Sequence, residues 1–174
     1  MLFQHLLAPL AALTGLVHAY EPTDLSTNLP NIAILNDTAP LCPSRPATPL
    51  TQRALFHAFI SATYNRTSTI AAAYTTFAAA DYIQHNPWMT SGRQAAIDTL
   101  TPIFAVADLR VRHVWFDPEL ETGTGGVHYR LRMPGAERPV AVMRLFRWEG
   151  TCLVEHWDVM QEVPGNKTNP LPMV

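Results

Sequence analysis

Apolar positions along this chain change their spacing once, near Asp108, and the change separates a helical half from a strand half. Before it, Leu55, Phe56, Phe59 and Ile60 recur at offsets of three and four, which predicts a helix over Thr51–Thr67 with Thr51 as its N-cap. Ile70, Tyr74 and Phe77 repeat that spacing in an alanine-rich stretch, predicting a second helix over Ser68–Ala80 that ends ahead of Pro87. A third is predicted over Ser91–Ala107 with Ile97, Leu100 and Phe104 inward, kinked or divided at Pro102. Beyond Asp108 the period is two. Leu109–Phe116, Gly126–Met133, Val140–Trp148 and Thr151–Gln161 read as strands, with turns at Asp117-Pro118 through Gly125-Gly126, at Pro134-Gly135 and at Glu149-Gly150. Helices first and a meander afterwards predict an α+β fold. Its expected form is a cone-shaped, curved antiparallel sheet of about four to six strands packed on three N-terminal helices.

The two ends read differently. Leu6–Val17 is an apolar run of signal-peptide length, and Val17-His18-Ala19 suits cleavage, so residues 1–19 are expected to be a secretory signal and the protein to be extracellular. Residues 20–49 form a proline-rich extended leader, residues 50–164 the folded domain, and residues 165–174 an extended tail. Three sequons, at Asn36, Asn65 and Asn166, agree with secretion. Cys42 and Cys152 are the only cysteines; they either close one disulfide or remain two thiols.

Composition narrows the partners. A formal net charge of −2 and the lack of any basic block argue against nucleic acid. The short N-terminal run leaves no membrane span once a signal is cleaved. Gly123-Thr-Gly-Gly126 joins two strands and opens no helix, so no nucleotide loop is expected. His85, His113, His128 and His156 lack metal-ligand spacing, so neither a metal nor another cofactor is expected.

Candidate chemistry concentrates in the last strand, where Glu155-His-Trp-Asp158 sets four functional side chains in a row. Alternation puts His156 and Asp158 on one face and Glu155 and Trp157 on the other. If the first face is inward, Asp158 is a base able to take a proton alpha to a carbonyl; otherwise it is a structural carboxylate.

Tyr82-Ile-Gln-His-Asn-Pro87 and Glu155-His-Trp-Asp-Val159, separated by one helix and a meander, resemble the SnoaL-like polyketide cyclases of the nuclear-transport-factor-2-like superfamily. The resemblance covers roughly residues 50–164 and reaches Asn169–Met173. It implies a conical fold, dimerisation through the sheet, and cofactor-free acid/base chemistry such as aldol closure of a polyketide. Carried over to this chain, it places the acid/base aspartate at Asp158 and turns His85 toward the substrate oxygen; His156, on the same strand face as Asp158, completes the expected catalytic residues. The resemblance also tips His128 toward the pocket, while Tyr82, Asn86, Arg144 and Trp157 are expected contacts of a small hydrophobic carbonyl compound from their own positions in the chain.

Arg144 departs from the pattern, because relatives more often carry an acid there. Facing inward, it would either pair with Asp158 or stabilise an enolate; facing outward, it is a solvated strand residue. Two functions are therefore expected in competition. One is a pocket enzyme that cyclises, isomerises or hydrates its substrate; the other is a secreted protein of the same fold that binds an apolar ligand without transforming it.

Overall fold

The computed structural model describes residues 40–118, 122–169 and 173–174; the expected signal segment, most of the leader and the Asn36 sequon lie outside them. Three helices, α1 (Pro49–Tyr64), α2 (Ile70–Phe77) and α3 (Arg93–Val106), pack on a sheet of β1 (Ala78–Gln84), β2 (Asp108–Pro118), β3 (Thr122–Arg132), β4 (Val140–Glu149) and β5 (Cys152–Glu162). The sheet is open and curved, with strand order β1-β5-β4-β3-β2. It is α+β, as expected, but mixed: β2 to β5 form an antiparallel meander, whereas β1 pairs parallel to β5.

Capping chemistry sets the helix starts. Thr48, not Thr51, caps α1, its Oγ1 accepting from the Thr51 N–H at 3.2 Å, and Pro49 takes the first helical position that its fixed φ suits. Thr69 caps α2 in the same way through the Ala72 N–H at 3.1 Å. Pro102 does not divide α3. Pro102 and Asp98 are both exposed, so the carbonyl that loses its partner lies on the solvent side, where water replaces the bond.

α2 stops three residues earlier than predicted. Ala78-Ala-Ala80 leaves the helix and enters β1, where Ala78 pairs with Leu153 and, past a bulge, Gln84 pairs with His156. Ladder pairing here overrides the helix preference of alanine. A second difference concerns Gly123, Gly125 and Gly126, which lie inside β3 rather than in a turn. A Cβ on Gly125 would come within 2.6 Å of Phe116 and 2.7 Å of Phe56, and one on Gly126 within 2.0 Å of Trp115. Bare backbone at these positions lets rings cross the sheet on both faces.

The core lies between the helices and the concave face. Phe59 meets Phe146 edge-on at 5.4 Å, and Phe56 stacks on Phe116 at 4.9 Å, both against the buried Trp148. At one end the leader is fastened down. Cys42 and Cys152 form a disulfide, Ser44 donates to the Glu149 carbonyl at 2.6 Å, and the Thr151 N–H donates to the Arg45 carbonyl at 3.0 Å. Among the described residues, no helix is long and apolar enough to cross a membrane.

Candidate functional site

Strand alternation decides which side chains reach the interior. Along Tyr82-Ile-Gln-His-Asn86, the first, third and fifth residues are buried and the second and fourth exposed. On β5 the inward residues are His156, at 1% exposure, and Asp158, whose side chain is 2% exposed. Arg144, directly opposite Asp158 on β4, is also inward and buried. Tyr82, Asn86, Arg144, His156 and Asp158 therefore meet in one polar cluster beneath the helices.

Three expected residues are elsewhere. His85 lies on the outer face, one position out of phase, where its Nε2 contacts Glu155 Oε1 at 2.7 Å and its ring stacks on Trp157 at 4.8 Å. Trp157 shares that face because it alternates with His156 and Asp158. His128 also points outward, stacked on His113 with an Nδ1–Nδ1 distance of 3.1 Å, while its neighbours Val127 and Tyr129 fill the interior. Burial and the neighbouring His113 depress its proton affinity. None of the three can touch a ligand held at Asp158.

Within the cluster, hydrogen bonds fix the donors and acceptors. Gln84 Oε1 accepts from the Asn86 backbone N–H at 3.0 Å, so it is an oxygen, and His156 Nδ1 at 2.8 Å from it carries the proton. Asn86 Oδ1 likewise accepts from the Trp88 N–H at 2.8 Å, which turns Nδ2 to donate to Asp158 Oδ1 at 2.8 Å. Burial, and next the Arg144 charge, hold the His156 imidazole down at a pKa of about 2, so the ring is neutral and its Nε2 is a bare lone pair.

Arg144 donates through Nη1 to Tyr64 Oη at 3.3 Å, with its guanidinium 5.7 Å from the Tyr129 ring centre and 5.9 Å from that of Phe104. Burial opposes the Arg144 cation, but the surrounding phenols and Asp158 outweigh that and leave its proton affinity raised. Burial also raises the phenols of Tyr64, Tyr74, Tyr82 and Tyr129, keeping them neutral. Asp158 Oδ2 lies 3.8 Å from both Arg144 Nε and His156 Nε2, beyond hydrogen-bond reach of either. All three atoms are buried and have no hydrogen-bond partner in the described structure. An oxygen that accepts from Arg144 and donates to both His156 and Asp158 would satisfy all three, whereas a hydroxyl, with one proton, would satisfy Arg144 and one of the two acceptors.

A cleft of about 220 Å³ opens between the C-terminal ends of α1 and α3 and the start of α2. Phe104 links the two regions, since its ring lines the cleft and also faces Arg144. No three His, Cys, Asp or Glu side chains converge as a metal site among the described residues.

No protein-family model and no curated protein matches the chain. Solved structures do. TsrD from Streptomyces laurentii is 15% identical with a TM-score of 0.47, covering 64% of this chain and 88% of its own. An NTF2-like protein of unknown function from Cytophaga hutchinsonii is 15% identical with a TM-score of 0.48, covering 68% and 94%. A SnoaL-like polyketide cyclase from Agrobacterium tumefaciens is 12% identical with a TM-score of 0.49, covering 63% and 91%. The chain is similar to these proteins in fold alone. Nothing in the likeness identifies a reaction.

Sequence reasoning missed Gln84, Tyr64 and Tyr129. Gln84 and Tyr129 were detectable in principle, since each adjoins a chosen histidine on the opposite parity. Tyr64, at the end of α1, left no signal beyond its helical phase.

Proposed function

We propose that this chain is a pocket enzyme that carries out acid/base chemistry on a small apolar carbonyl compound, by aldol-type cyclisation, isomerisation or hydration. The observation behind this reading is Asp158 Oδ2, buried and unbonded at 3.8 Å from a guanidinium N–H and a neutral imidazole lone pair. The carboxylate takes the proton alpha to the carbonyl, and the negative charge moves to the carbonyl oxygen. Arg144 then donates to that enolate, so the cation exchanges one anionic partner for another as the charge migrates. Asp158 returns the proton to carbon or to the new alkoxide. His156 accepts a substrate hydroxyl at Nε2 and moves no proton itself.

The test is solvent-deuterium exchange at the alpha carbons of a panel of small ketones, followed by proton NMR. Wild type should exchange at least one of them. Asp158→Asn should keep the fold and lose about 10²-fold or more of the rate. Exchange in that variant at the wild-type rate would remove Asp158 from the mechanism.

A second reading is a secreted carrier of the same fold that binds without transforming. It draws on Asp158 being held at one oxygen by Asn86 and faced at the other by Arg144, as a silent carboxylate would be. A co-purified ligand that stays chemically unchanged favours it. Secretion belongs to both readings and is supported by the Cys42–Cys152 disulfide, which persists in oxidising compartments. A homodimer is the partner state we propose, joined through the outer sheet face, where Trp115, Met143 and Val159 are exposed. Sedimentation as a monomer at micromolar concentration would dismiss it.

A further inference from the structure

We propose that His113 and His128, side by side on the outer face of the sheet, chelate a copper(II) ion through their Nδ1 atoms. The site is independent of the acid/base reading, because both rings lie on the face away from Asp158.

Spacing along the chain hides this pair, since the two residues are 15 positions apart. Strand register brings them together: His113 sits directly across from His128 on the β2–β3 ladder. Side chains so placed leave the sheet together, with Cβ atoms about 5 Å apart. The two ring planes are parallel to within 3°, and the Nδ1 atoms are 3.1 Å apart. Two nitrogens bound to one metal at about 2.0 Å lie roughly 2.8 Å apart at a right angle and roughly 3.3 Å apart at the tetrahedral angle. The pair is therefore already spaced as adjacent ligands of a single ion. A small turn of each ring moves the two nitrogens from facing each other to facing that ion.

A second observation concerns the rest of the His128 ring. The Met173 backbone accepts a hydrogen bond from it. With Nδ1 turned to His113, the donor is Nε2, which leaves Nδ1 as the bare lone pair. Metal-bound histidines are oriented in this way, the nitrogen away from the metal donating to a backbone carbonyl. Burial, and next the neighbouring His113, hold the His128 proton affinity below its ordinary value, so at neutral pH no proton has to leave that ring for a metal to bind.

The donor set selects the ion. Among the described residues no third His, Cys, Asp or Glu joins the pair, so magnesium and calcium find no side-chain oxygens there. Of the divalent cations that imidazole suits, copper(II) stands highest in affinity, and its tetragonal geometry takes two adjacent nitrogens and leaves the other positions to water. The Arg112 charge also acts on His128, but Arg112 is exposed and salt screens it.

Copper(II) titration of the full chain at about pH 7.5, where an unperturbed imidazole is neutral, tests this by calorimetry and electron paramagnetic resonance. The double variant His113→Gln/His128→Gln gives the background from the amino terminus and the other histidines. Above it, wild type should bind one ion per chain, with hyperfine structure from two nitrogens and an affinity about tenfold or more above that for nickel(II) or zinc(II). Each single variant should weaken binding about tenfold or more, whereas His85→Gln, which removes an outer-face imidazole paired with Glu155, should change nothing. High salt should leave the affinity in place, as coordination does and attraction to surface carboxylates does not. Binding that survives the loss of either ring, that salt removes or that zinc(II) matches overturns the proposal. One ion for every two chains overturns the two-imidazole site and gives the metal to a dimer interface. Should a variant fail to fold, the wild-type spectrum decides, and fewer than two coordinated imidazoles overturns the proposal.

Discussion

Burial imposes the protonation state of His156. Its imidazole is held down at about 2, from an ordinary value of 6.5, by desolvation and then by Arg144. The unfolded chain therefore binds a proton near pH 6 that the native state refuses. The resulting stability is complete above about pH 6.5, falls as pH drops below it, and stops falling only near pH 2. By pH 5 the loss from this one ring is about 2 kcal/mol. His57 and His128 shift in the same direction and add to the wild-type slope. Comparing urea unfolding of wild type and His156→Gln between about pH 7 and pH 5 isolates the contribution: the variant should lose about 2 kcal/mol less over that interval. Parallel profiles would mean that the ring is protonated in the fold. The same residue shows what single-chain reading can and cannot reach. Its pairing with Asp158 on one face follows from alternation alone, and so does the opposite placement of Glu155 and Trp157. For His85 and His128 the pocket placement comes from the family resemblance alone, and each is one position out of phase with the pocket.

Element by element, the parts that were hard to read are those where tertiary contacts override local preference. The second half of the chain alternates strongly, and β2, β4 and β5 differ from their expected ends by only one or two residues. β1 has no such signal. It begins with three alanines, which favour helix, and becomes a strand because the edge of β5 offers it a ladder. That strand matters to the site more than its pattern suggests, since it delivers Tyr82 and Gln84, and just past its end Asn86, alongside His156 and Asp158. β3 reads short in the sequence because its glycines look like turn residues. Their role is instead to let Phe116 and Phe56 pass on the concave face and Trp115 on the other, a requirement visible only once the partners are placed.

At the scale of the whole molecule, the strand that carries His156 and Asp158 is anchored by the leader. Cys152 opens β5, and its bond to Cys42 closes a separation of 110 residues. Around it, Leu41 is buried, the Arg45 carbonyl receives the Thr151 N–H at 3.0 Å, and Ser44 donates to the Glu149 carbonyl at 2.6 Å. The leader thus works as a clasp over the β4–β5 turn, and Gly150, at φ 48°, passes so close to Arg45 that a side chain there would collide with its carbonyl. Replacing both cysteines by alanine removes the cross-link without leaving a buried thiol. The expected cost is about 2–5 kcal/mol, mostly because the unfolded chain regains the freedom of a long loop. Urea midpoints of wild type and the double variant, both under oxidising conditions, measure it. Hydrogen exchange then locates the change. If the leader is a clasp, exchange should quicken at the Thr151 N–H and along the start of β5, while the β2–β3 ladder at the far edge of the sheet keeps its protection. Uniform quickening across the sheet would assign the disulfide to global stability alone. Unchanged midpoints would mean that the remaining contacts of the leader hold it without the bond.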